Sequence, residues 1–196
     1  MNLFVLDMDP QQAARMHKDQ HLLKMAMEAA QMMSTAWLML HPEQIVWVYD
    51  SNLNESRPQL MGRRIYKIAQ AGNKVTQWVR SSGAAYRWTW ALADQLCKEY
   101  RLLRGKPHPS EAVIDALWHM PPKLFSTQGD KVEFFQRVGQ GYEVQGDPVL
   151  AYRLYYLGTK CQPASWTRRR KPPAWTEDIF LKARADSIKE QGHAEV

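Results

Sequence analysis

The chain has 196 residues, 45% of them hydrophobic, which is enough for one well-packed core and gives no reason to invoke a second domain. Its net charge of +6 favours a polyanionic partner, because Lys and Arg neutralise phosphates and release their counterions. Two cysteines outside any metal or redox motif, no long apolar run and no basic leader at residues 1–9 argue against a disulfide scaffold, a zinc knuckle, a membrane span and a secretory signal, so a soluble, cytoplasmic protein is expected.

Residues 2–6 form a short apolar run, compatible with a small strand or an extended lead-in. Asp9-Pro10 then opens a helix: Asp9 is a good N-cap, Pro10 suits the first helical position, and Gln12 is placed for a capping-box-like arrangement. The helical pattern runs to about Leu40 and stops at His41-Pro42, because a residue before proline disfavours the α region. This is the longest predicted element. QIVWVYD, ending at Asp50, is compatible with a strand or a further helical turn, and DSNLNESRPQ reads as a loop. Residues 61–80 carry Arg63, Arg64, Lys67, Lys74 and Arg80 without an acid, which suits phosphate contact or a solvated face.

Ser81 and Ser82 can cap a second helix ending near Arg104, with Ala85, Trp88, Leu92 and Leu96 on one side and Gly105 as the stop. EAVIDALWHM reads as a shorter third helix before Pro121-Pro122, and KVEFFQRV as a possible turn of helix in a glycine-rich connection. Asp147-Pro148 repeats the cap and first-turn proline, so a fourth helix should end at Gly158. Residues 160–175 combine Lys160, Arg168, Arg169, Arg170 and Lys171 with two tryptophans and three prolines, and Thr176 can cap a last helix. The expected fold is therefore all-α: a single-domain helical bundle organised around one long N-terminal helix. Residues 1–158 would form the helical domain, with residues 159–196, a basic aromatic segment and C-terminal helix, packed on it.

Within the first helix, His17, His21, Lys24, Glu28 and Thr35 fall on one narrow stripe at about 100° per residue, with Gln20 and Gln31 at its edge. Leu22, Leu23, Ala26, Ala29, Ala30, Met33 and Trp37 cover the back, and Met25, Met27 and Met32 crowd the flanks, so the stripe should face a cleft rather than open water. His17 and His21 have a two-imidazole metal spacing, but Glu28 lies about 10 Å further along the axis and does not complete such a site. No metal and no cofactor are therefore expected. An amine and a carboxylate placed against apolar methionines would have the pKa shifts that Schiff-base chemistry uses, with Glu28 as the carboxylate and Lys24 or the Met1 α-amine as nucleophile. Glycosidic cleavage develops oxocarbenium character, which a nearby carboxylate stabilises.

Asp19-Gln20-His21-Leu22, with Glu28 seven residues after His21, resembles the phage-type pyrimidine-dimer DNA glycosylases, small all-helical base-excision enzymes. Residues 151–160, AYRLYYLGTK, look like that family's Tyr-Tyr-Gly-Lys segment, and the FVLDMDP opening with the following helix resembles a set of uncharacterised phage proteins. The resemblance implies a DNA glycosylase with abasic lyase chemistry, acting on pyrimidines in DNA inside a bacterial host. The N-terminal α-amine would attack the sugar C1′ while Glu28 supports bond cleavage and β-elimination, with His21 as a further site residue. The sequence departs at the nucleophile, because Asn2 is too large for usual methionine removal and the amine would belong to Met1.

On this reading the partner is DNA, contacted by Arg63, Arg64, Arg80, Tyr86, Tyr152, Arg153, Lys160, Trp166, Arg168, Arg169, Arg170 and Lys171, with aromatic rings stacking a flipped base and cations holding phosphates. Two alternatives remain open: an enzyme that modifies pyrimidine nucleotides or DNA bases, and a non-enzymatic nucleic-acid-binding or counter-defence protein that works through Arg63, Arg64, Arg168, Arg169, Arg170 and Lys171.

Overall fold

The computed structural model describes residues 1–161, 165–167 and 170–194, with side chains through residue 191. Asp9 accepts hydrogen bonds from the Gln11 and Gln12 amides, with Pro10 at the first position of α1 (Pro10–Met16). The helix does not continue. His17 is extended at ψ 138, and Lys18, at ψ 158, precedes α2 (Asp19–Leu40).

The single long N-terminal helix is thus broken, and the reason lies far along the chain. The Lys18 amide donates to the Tyr156 hydroxyl at 3.0 Å, the Asp19 amide to the Ser165 carbonyl at 2.9 Å, and Arg170 to the His17 carbonyl at 2.6 Å. Backbone groups that an uninterrupted helix would pair internally are taken by α6 and the tail instead.

The second correction is a small antiparallel sheet, so the fold is mainly helical rather than all-α. β1 (Ile45–Asp50) pairs with β2 (Glu55–Leu60), which pairs with β3 (Arg63–Arg64), in the order β1-β2-β3. Polar residues and Pro58 made β2 read as a loop, yet Pro58 lies opposite Trp47, and the Met61-Gly62 turn, with φ 49 and 75, reverses the chain into β3.

The remaining helices follow local signals. Asn73 caps α3 (Lys74–Val79), a short helix absent from the sequence reading, by accepting from the Val75 and Thr76 amides. Ser82 caps α4 (Gly83–Arg104), which ends on Gly105 at φ 71. α5 (Glu111–Ala116) stops earlier than expected, and residues 131–138 are not helical. Asp147 caps α6 (Pro148–Thr159), and Asp178 rather than Thr176 takes the Phe180 and Leu181 amides at the start of α7 (Ile179–Ala194).

α2 packs most extensively on α4, α1 also lies on α4, and α6 packs on α7. One apolar core joins Leu3 to Leu6, Leu22, Met25, Ala29, Met33, Trp37, Leu92, Leu96, Leu154 and Tyr156. Residues 3–6 are neither strand nor helix but a buried extended lead-in, with Leu6 fully covered. Among the described residues no helix is long and apolar enough to cross a membrane.

Candidate functional site

The stripe on the first helix splits into a closed half and an open half. In the closed half, His17 is fully buried; its Nδ1 bonds the Ala13 carbonyl at 2.7 Å and its Nε2 is buried with no hydrogen-bond partner among the described residues. Burial holds the His17 pKa down at about 4, so the ring is neutral and donates from Nδ1. His17 therefore faces the interior and not the cleft expected from the sequence.

Beside it, the Tyr156 hydroxyl accepts from the Lys18 amide and so has its proton free for His21 Nδ1 at 2.7 Å. That bond places the His21 proton on Nε2, and burial, with the nearby His17 and lysines, lowers the His21 pKa to about 3. Phe4 stacks on the His21 ring, centroids 5.2 Å apart and planes 3° from parallel. Thr35, at the far end, is also fully buried and engages the Gln31 carbonyl and the Ala69 amide.

The open half consists of Lys24 and Glu28. The stacked Phe4 ties the N-terminal segment to α2, and this brings the Asn2 amide to 2.9 Å from Glu28 Oε2. Lys24 Nζ lies 3.6 Å from Glu28 Oε1, with the Lys24 side chain 62% exposed and that of Glu28 12% exposed. The apolar flanks therefore do not enclose Lys24, contrary to the expectation of a desolvated amine; Leu23 and Met27 beside it are themselves exposed. The Met1 α-amine is one residue from the Asn2 amide, a span of roughly 3–4 Å, and donates to Gln70 Oε1 at 3.0 Å.

Three contributors to this site had no distinct signal in the sequence. Gln70, at φ 46 in the left-handed region, holds the α-amine. Asn73, the cap of α3, donates to the Met1 carbonyl at 3.2 Å, and Asn2 Nδ2 donates to the Arg137 carbonyl at 2.9 Å. The only available hint was the turn-like Gln70-Ala71-Gly72-Asn73 run.

Comparison with protein-family models, with curated proteins and with solved structures finds no match for this chain. The site therefore rests on its own geometry.

The expected nucleic-acid contacts divide in the same way as the stripe. Tyr86 is 1% exposed and donates to the Leu117 carbonyl, and Tyr152 is 2% exposed and accepts from the Arg137 amide, so neither offers a ring for stacking. Arg170 has a 5% exposed side chain bonded to Asp19 Oδ1 at 2.5 Å, Glu99 Oε2 at 3.3 Å and the Arg15 and His17 carbonyls. Its guanidinium is occupied internally, not presented to phosphate. Arg153 donates to the Leu6 carbonyl and Asp7 and covers the Trp175 ring at 5.6 Å. Lys160 sits over the Tyr155 ring at 5.1 Å, Trp166 packs its partly buried indole on the core, and Arg80 is half-buried at the end of α3. Arg63, Arg64 and Lys171 are exposed. Arg63 and Arg64 border a depression of about 610 Å³, together with Tyr66 and Asp115. Arg168 and Arg169 lie outside the described residues.

Proposed function

We propose that the chain is a DNA glycosylase-like enzyme acting on pyrimidine bases, with abasic lyase chemistry centred on Glu28. The observation that supports this reading is the 2.9 Å bond between the Asn2 amide and Glu28, because it brings the N-terminal backbone to a carboxylate at a partly open site, with the α-amine one residue away on Gln70. In its neutral form that amine can attack the sugar C1′ as the base departs, and the Glu28 carboxylate can stabilise the positive charge that develops there. Opening of the sugar ring, in which the C1′–O4′ bond breaks and O4′ takes up a proton, gives an imine; removal of a C2′ proton by Glu28 then permits β-elimination of the 3′ phosphate. His21, buried beneath Phe4 and bonded to the Tyr156 hydroxyl, acts as a positioning residue for the N-terminal segment. Lys24 is the rival amine, and Arg63, Arg64 and Lys171 are the exposed cations available to hold phosphates.

Borohydride trapping tests the proposal. Incubation with DNA carrying an abasic site or a pyrimidine dimer, followed by reduction, should yield a covalent protein–DNA adduct. Glu28→Gln should lower the rate of its formation by about 100-fold or more. Adduct formation that survives Lys24→Ala but is lost on acetylating the α-amine assigns the nucleophile to Met1; the reverse pattern assigns it to Lys24. No adduct on either DNA, together with turnover or binding indifferent to Glu28, would overturn the reading.

A further inference from the structure

β1 carries a run of exposed apolar side chains. Four consecutive side chains, Val46, Trp47, Val48 and Tyr49, are 60%, 53%, 40% and 61% exposed, and they alternate across both faces of the ribbon. The strand also forms one edge of the sheet. It carries none of the devices that usually blunt such an edge: IVWVYD has no lysine, no proline and no bulge, and its register with β2 is continuous from Ile45 to Asp50.

The position of Pro58 determines which backbone groups are free. The Pro58 carbonyl accepts from the Ile65 amide at 3.0 Å, so the polar groups of Pro58 point toward β3 and away from β1. In an antiparallel ladder bonded and non-bonded pairs alternate, so Trp47, opposite Pro58, turns its N–H and C=O outward, as do Ile45 and Tyr49. The Ile45 amide is already taken by the Pro42 carbonyl. Among the described residues the free edge is therefore the N–H and C=O of Trp47 and of Tyr49, with the Ile45 carbonyl at its root.

We propose that this edge pairs with the same edge of a second copy of the chain, antiparallel about a two-fold axis at Val48. Trp47 of each copy then lies opposite Tyr49 of the other, and four backbone hydrogen bonds use the N–H and C=O of both residues. The alternative register, with Trp47 opposite Trp47, calls on Ile45, whose amide is occupied, and draws the two protein bodies together at the roots of the hairpins. On one face the pairing joins two tryptophans and two tyrosines, and cross-strand aromatic pairs are favourable. On the other face Val48 meets Val48.

The two three-stranded sheets become one of six strands with no exposed apolar edge at the joint. The four side chains and the edge backbone would remove roughly 1,000 Å² over the pair, close to the lower bound for a specific interface, so association should be reversible. The proposal stands independently of any chemistry at Glu28.

Sedimentation velocity over a concentration series up to about 100 µM should show a monomer–dimer equilibrium. Val48→Lys, which sets like charges face to face on the axis, should weaken association at least tenfold while circular dichroism stays that of the parent. A second variant gives a geometric readout. Opposed residues of a non-bonded antiparallel pair have Cα atoms about 4.5 Å apart, within disulfide range, so Val48→Cys in a Cys161→Ser background should cross-link to a covalent dimer on mild oxidation. Val46→Cys in the same background should not, because its counterpart is four positions away. A parent protein that stays monomeric throughout overturns the proposal, as does a dimer untouched by Val48→Lys or cross-linking no faster at position 48 than at 46.

Discussion

The two halves of the helical stripe contrast most clearly in what holds them. His17, Asp19 and His21 are buried and tied to residues more than a hundred positions away: the Tyr156 hydroxyl bonds His21, and Asp19 accepts from Thr167 at 2.8 and 2.7 Å and from Arg170 at 2.5 Å. Lys24 and Glu28, one and two turns further on, hold each other and the Asn2 amide. Polar residues predicted on one stripe, His17 and His21 on one hand and Lys24 and Glu28 on the other, therefore serve different ends, with Asp19 joining the closed group from another face. The closed half uses its polarity to fix the α1–α2 break, while the open half leaves a carboxylate and amines within reach of a ligand.

Removing the clamp of the closed half should give the largest effect. Arg170 is a buried cation shared by Asp19 and Glu99, whose side chains are 8% and 9% exposed. Arg170→Ala leaves buried Asp19 with the Thr167 donors and buried Glu99 with Gln95 and the more distant Arg15, but without the cation that joins them, and breaking such a network costs about 3–5 kcal/mol. Denaturant unfolding should register that loss as a shift in midpoint. A change of under 1 kcal/mol would mean that the clamp does not hold the break.

Acid should act on the same half with a somewhat smaller effect. His17 and His21 have folded pKa values lowered from 6.5 to about 4 and about 3, both chiefly by burial. The unfolded chain therefore binds protons that the folded chain refuses, and stability is fully present above pH 6.5. It should fall as pH drops below that value, at up to 1.4 kcal/mol per pH unit for each histidine, and level off only near the folded values. Between pH 7 and pH 5 the loss is about 2–4 kcal/mol, and a His17→Gln, His21→Gln double variant should flatten the slope between pH 6.5 and 5. An unchanged slope would assign the acid sensitivity to other groups.

Local signals in the sequence account for much of the helical framework and little of what interrupts it. Asp9-Pro10, Ser82, Gly105 and Asp147-Pro148 each act within a few residues, and each sits at an observed helix boundary. The break at His17 depends on Tyr156, Ser165 and Arg170, whose proximity exists only after folding, so helical periodicity simply ran through it. β2 was hidden for a different reason: ESRPQL lacks strand-forming composition and is held by its register with β1 and by the Met61-Gly62 turn. At the site, periodicity correctly put Lys24 and Glu28 on one face. The approach of Asn2 and Gln70 depends on how the N-terminal segment packs, which no spacing encodes.

The smallest effect on stability should come from the open half, and that is what makes it diagnostic. Lys24 is 62% exposed, and its pairing with Glu28 at 3.6 Å belongs to the class of surface ion pairs that contribute about 0–1 kcal/mol. Glu28→Gln keeps an oxygen for the Asn2 amide and loses only the charge. Both Lys24→Ala and Glu28→Gln should therefore unfold within about 1 kcal/mol of the parent, even though the second is the variant expected to remove adduct formation. A residue whose loss leaves the fold intact and abolishes trapping is functional in a way that Arg170 is not. If Glu28→Gln instead destabilised the protein as much as Arg170→Ala, the carboxylate would belong with the clamp, as an anchor for the N-terminal segment, and the division between the two halves of the stripe would collapse.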